Sequence, residues 1–280
     1  MTQAVAVRPA LTRHDEIAWR RGQAASTSRL VAEETAVALS YNGSTHAVMM
    51  ATPADLEDFG VGFTLTEGIV RHAEDIESVE LIPDDLGLEV RIWLSGDRAA
   101  ALTARRRALS GPVGCGLCGI ESLEQARRPA PLVTSRMTFG AEDLLAAMQS
   151  LAPLQTMNLK TKSMHAAAFW QPSSGIGPVR EDVGRHNALD KLAGAIVGSG
   201  LPAAEGAVLL TSRVSVEMVQ KVAMIGAPII IAVSAPTTLA IRTAEEAGIT
   251  LLAIAREDGF GVFTHPHRVI WPADALQRAS

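Results

Sequence analysis

The chain has 280 residues, 48% of them hydrophobic but only 4% aromatic, and a net charge of −5. That length and composition supply one large domain or two unequal ones with an aliphatic core, and they exclude a disordered chain. The acidic balance excludes a general nucleic-acid binder, and no apolar run approaches the roughly 20 residues of a membrane span.

Met1 to Arg21 mixes Arg, His, Asp and Glu and lacks the apolar centre of a signal peptide. A cytoplasmic location is therefore expected, where thiols stay reduced. Residues 1–28 read as a polar, aperiodic, mobile tail, and residues 29–109 as a smaller, strand-rich α+β part. Within it, AVALSY and THAVMM flank Asn42-Gly43, the strongest short hairpin signal. Thr52-Pro53-Ala54-Asp55 reads as a helix start, with Thr52 as N-cap. The helix should turn Leu56, Phe59, Phe63 and Thr66 inward and stop near Gly68. Two further strands are expected over Ile76–Ile82 and Leu88–Leu94, then a helix over Arg98–Leu109 carrying Arg105-Arg106-Arg107. Ser110-Gly111-Pro112 breaks it and opens residues 110–128, expected to be a mobile loop with no order in the absence of ligand.

The remainder, 129–272, is expected to form the main α/β core, with 273–280 a tail. Ala141–Leu151 has the pattern of an amphipathic helix, His165–Trp170 that of a strand, and Arg185–Val197 that of a second helix. AVLLTS, PIIIAVS and TLLAIA then alternate with helices over Val214–Gly226 and Thr237–Gly248. Short, wholly apolar strands between helices predict a mainly parallel sheet buried on both faces. Ligands of such sheets bind beyond the carboxyl ends of the strands. This sequence puts Ser212-Arg213 and Ser234-Ala235-Pro236-Thr237 there, hydroxyls and an arginine at helix starts that suit a phosphate.

Chemistry centres on Gly114-Cys115-Gly116-Leu117-Cys118-Gly119, which holds the only two cysteines of the chain. A structural zinc needs four closed ligands, and no second C-x-x-C or spaced histidine pair supplies them. His72-Ala73-Glu74 ahead of the cysteines imitates a zinc deaminase, but Gly114 stands where that signature has proline, and the His and Glu fall past a helix end. A thioredoxin-type motif would open a helix after a strand, not follow a helix and a proline. A thiolate that carries sulfur suits a pliant glycine loop, with the arginine cluster supplying positive field and the second cysteine able to resolve or relay the sulfur. No resident metal is expected. A second dense cluster, Arg180 to Lys191, offers in Arg185, His186, Asn187 and Lys191 more donors than a helix cap needs, though charged residues at a helix start often face solvent. Arg213, Glu217 and Lys221 have the spacing of surface salt bridges as well, and Arg213 is the stronger site candidate because it sits at a strand end. His165 opens an apolar strand, where a lone histidine is more often a hydrogen-bonded core residue than a catalyst, and His265 is ambiguous in the same way.

Taken together, M-A-T-P-A-D-L-E-D-F-G-V-G-F, C-G-L-C-G, R-E-D-V-G-R-H-N-A-L-D-K, S-R-V-S-V-E-M-V-Q-K and S-A-P-T-T-L-A-I resemble the formate dehydrogenase accessory sulfurtransferases, the FdhD family, from about Glu34 to Thr264. The resemblance implies a cytidine-deaminase-like α/β core, usually dimeric. It implies a sulfurtransferase that takes sulfur from a cysteine desulfurase as a persulfide and passes it to the bis-guanine-dinucleotide (bis-molybdopterin guanine dinucleotide) molybdenum cofactor destined for formate dehydrogenase. Cys115 matches the persulfide-bearing cysteine and Cys118 its partner. Phe260-Gly261-Val262-Phe263-Thr264-His265 matches the segment associated with cofactor binding. Arg185, His186, Asn187, Arg213, Ser234 and Thr237 fall in the family's strongest motifs, and strand-end position makes them cofactor ligands in this reading. The family usually has Thr-Gly-Gly-x-His where this chain reads Thr161-Lys162-Ser163-Met164-His165, which predicts altered backbone angles or a bulkier approach there. A non-catalytic cofactor chaperone and a zinc deaminase are the competing functions.

Overall fold

The computed structural model describes residues 9–96 and 129–273. The arginine cluster, Cys115 and Cys118 lie outside the described residues.

The start of the chain departs from expectation. Leu11–Arg20 (β1) and Gln23–Ala32 (β2) pair as an antiparallel hairpin instead of forming an aperiodic tail. Polar residues fall on both faces of each strand, and the alternating Ile17 and Trp19 are too few to make the sustained apolar alternation that periodicity registers. The hairpin touches the core at its base, where Arg29 Nη2 donates to the Thr161 carbonyl at 3.1 Å.

The smaller part follows. Thr35–Tyr41 (β3) and Ser44–Ala51 (β4) join through Asn42 and Gly43, both at positive φ as a type I′ turn requires. Leu56–Thr66 (α1) packs on a sheet completed by Ile76–Asp84 (β5) and Gly87–Leu94 (β6), in the order β4-β3-β6-β5. Phe59, Phe63, Leu39, Val90 and Ile92 fill the space between helix and sheet. Thr52 does not cap the helix: Asp55 holds the N-cap position at φ 52°, with no side-chain cap bond. Thr52 is buried and bonds across the molecule instead.

In the larger part, Phe139–Gly140 (β7), Ala141–Leu151 (α2) and Thr156–Thr161 (α3) precede His165–Gln171 (β8) and Gly175–Asp182 (β9). Arg185–Gly198 (α4), Ala207–Leu210 (β10), Val216–Ile225 (α5), Ile229–Ala232 (β11), Thr238–Glu246 (α6), Thr250–Arg256 (β12), Gly259–Val262 (β13) and Val269–Ile270 (β14) complete it. One six-stranded sheet runs β13-β12-β11-β10-β8-β9. Only β10–β11 and β11–β12 are parallel; β8 is antiparallel to both β9 and β10, and β13 is antiparallel to β12. The sheet is therefore mixed, which corrects the expectation of a mainly parallel one. The apolar-run signal was right for the buried centre, but β9 and β13 arrive by short reversals, and such connections make antiparallel neighbours. Helices α4, α5 and α6 cover one face and α2 the other.

The two parts meet where α1 crosses α4. A Cβ on Gly62 would lie 1.7 Å from the Asp190 carbonyl oxygen, and one on Gly194 would lie 2.0 Å from that of Asp58. Only glycine permits this approach, and it brings polar groups of both parts into bonding range.

Candidate functional site

The carboxyl edge of the six-stranded sheet collects most of the residues that the sequence singles out. β10 ends at Leu210, followed by Ser212 and Arg213; β11 ends at Ala232, followed by Ser234 and Thr237. The two turns are tied, because Val214 N–H donates to the Ala235 carbonyl at 3.3 Å and Thr237 N–H to the Val214 carbonyl at 3.0 Å. Thr237 caps α6, its hydroxyl accepting from Ala240 N–H at 3.2 Å. β8 runs the opposite way, so its first residue, His165, reaches the same edge opposite Asp182. Arg185 and His186 open α4 immediately after β9.

Charge is unevenly satisfied there. Arg185 Nε and His186 Nε2 are buried without a hydrogen-bond partner among the described residues. Arg213 is exposed and forms no ion pair among the described residues. Burial, then the Arg185 and Lys221 charges, push the His186 imidazole down to about 4, against the pull of Glu217 and Glu67. Burial and the Arg185 and Arg213 charges also lower His165, with Asp182 opposing. Both rings are thus held neutral beside cations. A sheet edge with neutral imidazoles, guanidinium groups without ion pairs among the described residues, and hydroxyls is ready to donate to an anion.

Asn187, Asp190 and Lys191 of the same motif do something else. Lys191 Nζ donates to Asp182 Oδ2 at 2.7 Å and to the Thr52 carbonyl at 2.9 Å, with both charged side chains 0% exposed. Asp182 also accepts from Thr52 N–H at 2.9 Å, Gly184 N–H at 2.7 Å and Asn187 Nδ2 at 3.0 Å. Asn187 further donates to the Met50 carbonyl at 2.8 Å. Asn187 is thereby spent on the junction between the two parts rather than turned to the edge. Lys221, expected on a surface, is buried too. It donates to Asp190 Oδ1 at 2.8 Å, Glu67 Oε1 at 2.6 Å and Thr66 Oγ1 at 3.1 Å. Burial works against its charge, but Asp190 and Glu67 outweigh burial and raise the ammonium above its usual range. The i, i+4 spacing of Glu217 and Lys221 could not reveal partners on α1 and α4.

The segment Phe260–His265 does not lie together at one edge. β13 is antiparallel to β12, so Phe260 starts at the carboxyl edge, Gly261 and Val262 pair along β12, and Phe263, Thr264 and His265 end at the opposite edge. There Thr264 Oγ1 donates to the Ile249 carbonyl at 2.6 Å and accepts from Leu251 N–H at 2.9 Å. The His265 ring bonds the Glu245 carbonyl at 2.9 Å, and its own carbonyl accepts from Thr250. Lys162 keeps the left-handed angle of a glycine, at φ 60°, as C-cap of α3. His72 precedes and Glu74 sits within an exposed 3₁₀ turn in the smaller part, not a buried helix start, so they lack the setting of a deaminase's zinc-binding histidine and catalytic glutamate.

Comparison with known proteins agrees over most of the chain. A model described as the FdhD/NarQ family matches residues 32–270. A sulfur carrier protein FdhD from Agrobacterium fabrum (strain C58) is 52% identical over 267 residues, which is 95% of this chain and 98% of that protein. One of the same name from Cupriavidus necator (strain H16) is 50% identical over 252 residues, 90% of this chain and 87% of that protein. A crystal structure from Desulfotalea psychrophila, assigned as a formate dehydrogenase accessory protein, superposes with a TM-score of 0.72 at 25% identity, covering 94% of this chain and 100% of that one.

Proposed function

Because the chain belongs to the FdhD/NarQ family, we propose that it is a sulfur carrier serving formate dehydrogenase, moving one sulfur atom on and off Cys115. The relatives named sulfur carriers, half identical along nearly the whole chain, carry this reading. In it, the Cys115 thiolate attacks the terminal sulfur of a persulfide on a cysteine desulfurase. The donor's sulfur–sulfur bond breaks, the desulfurase cysteine leaves as a thiolate, and Cys115 becomes a persulfide. For delivery, the Cys118 thiolate attacks the inner sulfur of Cys115; a Cys115–Cys118 disulfide forms and the terminal sulfur leaves as sulfide for the metal of the acceptor. An external dithiol then reduces the disulfide for the next round.

The acceptor in this reading is the bis-guanine-dinucleotide molybdenum cofactor. Its negative groups would meet Arg185, His186 and Arg213, with Ser234 and Thr237 lining the adjoining turn and Phe260 at the far corner. The unpartnered Arg185 and His186 nitrogens support this, since an anion would satisfy both. The reading also includes a homodimer in the cytoplasm and a core of the cytidine-deaminase class, consistent with three parallel strands preceded by an antiparallel pair.

Intact-mass measurement after incubation with an active desulfurase and cysteine tests it. One reductant-sensitive sulfur adduct is expected, lost in Cys115→Ala. No adduct on the parent chain would overturn sulfur carriage and leave a cofactor chaperone.

A further inference from the structure

The carboxyl edge holds one residue in a conformation that its side chain resists. Ile254, near the end of β12, has a φ of 57°. A branched Cβ in the left-handed region crowds the backbone, so β-branched residues there are outliers. The bulge between Ala253 and Arg256, where pairing with β13 shifts register, contains it. Neighbours hold this geometry from both sides. Ile254 N–H donates to the Ser234 carbonyl at 3.3 Å, and the Arg256 guanidinium donates to the carbonyls of Val233 and Ala255. Strain held in place by its surroundings in this way is a feature of functional edges.

Packing does not account for it. Ala253 and Ala255 on either side are buried, while Ile254 remains 46% exposed. The bulge turns hydrocarbon outward opposite Phe260 of β13, at a rim whose other named residues are hydroxyls, guanidinium groups and imidazoles. β12 is two strands from β10, so Ile254 stands about 10 Å from the turn that carries Arg213, with the Ser234 turn between them. A ligand with its anionic end on Arg213 and Arg185 would bring its other end to Ile254. A branched aliphatic wall gains from a flat apolar face and gains nothing from a phosphate.

We propose that Ile254 is a specificity-determining residue that supports the planar base of a purine nucleotide at this edge; the proposal rests on the guanine-dinucleotide reading above. Calorimetric titration of the full chain with guanosine diphosphate and with inorganic pyrophosphate tests it, on the parent, Ile254→Gly and Ile254→Asn. Gly and Asn both tolerate positive φ, so both variants should fold, and Ile254→Gly should melt at a higher temperature. Each should bind guanosine diphosphate about tenfold more weakly, the loss of one buried aliphatic contact, with pyrophosphate affinity unchanged. Unchanged nucleotide affinity in both variants overturns the proposal, and so does an equal loss for both ligands, which would mean a distorted edge. A parent that binds pyrophosphate as tightly as the nucleotide refutes base support while the anion site stands. A parent that binds neither removes the dinucleotide reading, and this proposal with it.

Discussion

Acidification should unfold this protein partly through one imidazole. His186 has its Nε2 buried without a partner among the described residues, with Arg185 and Lys221 on one side of its electrostatic balance and Glu217 and Glu67 on the other. Its pKa falls to about 4 in the folded chain, against about 6.5 in an unfolded one. Above the unfolded value both states are neutral and the ring costs nothing. As pH falls below that value the unfolded chain takes up a proton that the folded chain refuses, so stability is lost until the folded ring titrates near 4. At 1.36 kcal/mol per unit, lowering the pH from 7.5 to about 5 removes about 2 kcal/mol through this group alone, and the full loss saturates near 3 kcal/mol. Carboxylates titrate in the same range, so the informative quantity is a difference. Urea denaturation of the parent and of His186→Gln at both pH values should show the parent losing about 2 kcal/mol more than the variant. Parallel losses in the two proteins would refute the account of a neutral, buried His186.

The α1–α4 contact gives a paired test. Gly62→Ala drives a Cβ to 1.7 Å from the Asp190 carbonyl and should cost more than about 2 kcal/mol, whereas Gly198→Ala enters open space and should be neutral or stabilising by about 0.5 kcal/mol; thermal melts decide. Lys191→Met leaves Asp182 buried with its three other donors but no countercharge, so urea denaturation should show a loss of about 3 kcal/mol or more. A loss under about 1 kcal/mol would mean that the pair contributes no more than a surface one. Lys162→Gly removes a Cβ from a left-handed position and should raise stability by about 0.5–1 kcal/mol, seen as a higher melting temperature; a lower one would show that the lysine side chain contributes packing.

Local signals in the sequence predicted the elements that depend on local physics. Asn42-Gly43 places a hairpin because few residues accept both positive φ values, and the Ala141–Leu151 helix is bounded as its periodicity predicts. The β1–β2 hairpin was invisible because its turn is Arg21-Gly22 and its strands show polar residues on both faces. Thr52 looks like a helix cap because cap preferences concern the next few residues, yet its partners are Asp182, Val183 and Lys191, more than a hundred residues away. Strand-end reasoning brought Arg185, His186, Arg213, Ser234 and Thr237 to one edge. It could not see that β13 runs antiparallel and carries Thr264 and His265 to the other. The bulge at Ile254 has no local signature at all, because isoleucine is among the last residues that a left-handed position would predict.

The motif from Arg180 to Lys191 therefore has two meanings that its spacing separates. Asn187, Asp190, Lys191 and Gly194 recur at three- and four-residue intervals and meet the small part, through its α1 helix, Met50 or Thr52, whereas Arg185 and His186 occupy the first turn of α4 at the sheet edge. The buried pairs hold charges that water would stabilise better, so net stability is a weak reason for them. What they do fix is register: Lys191 bonds only if the Thr52 carbonyl and Asp182 stand together, and Lys221 only if Thr66, Glu67 and Asp190 do. An apolar junction of the same area would tolerate sliding or rotation of α1 on α4. This one does not, and β6, the last described strand before the cysteine segment, belongs to the part so fixed. The stretch from Arg180 to Gly194 thus sets both the first turn of the candidate site and the seat of the small part, β6 included, against the large one.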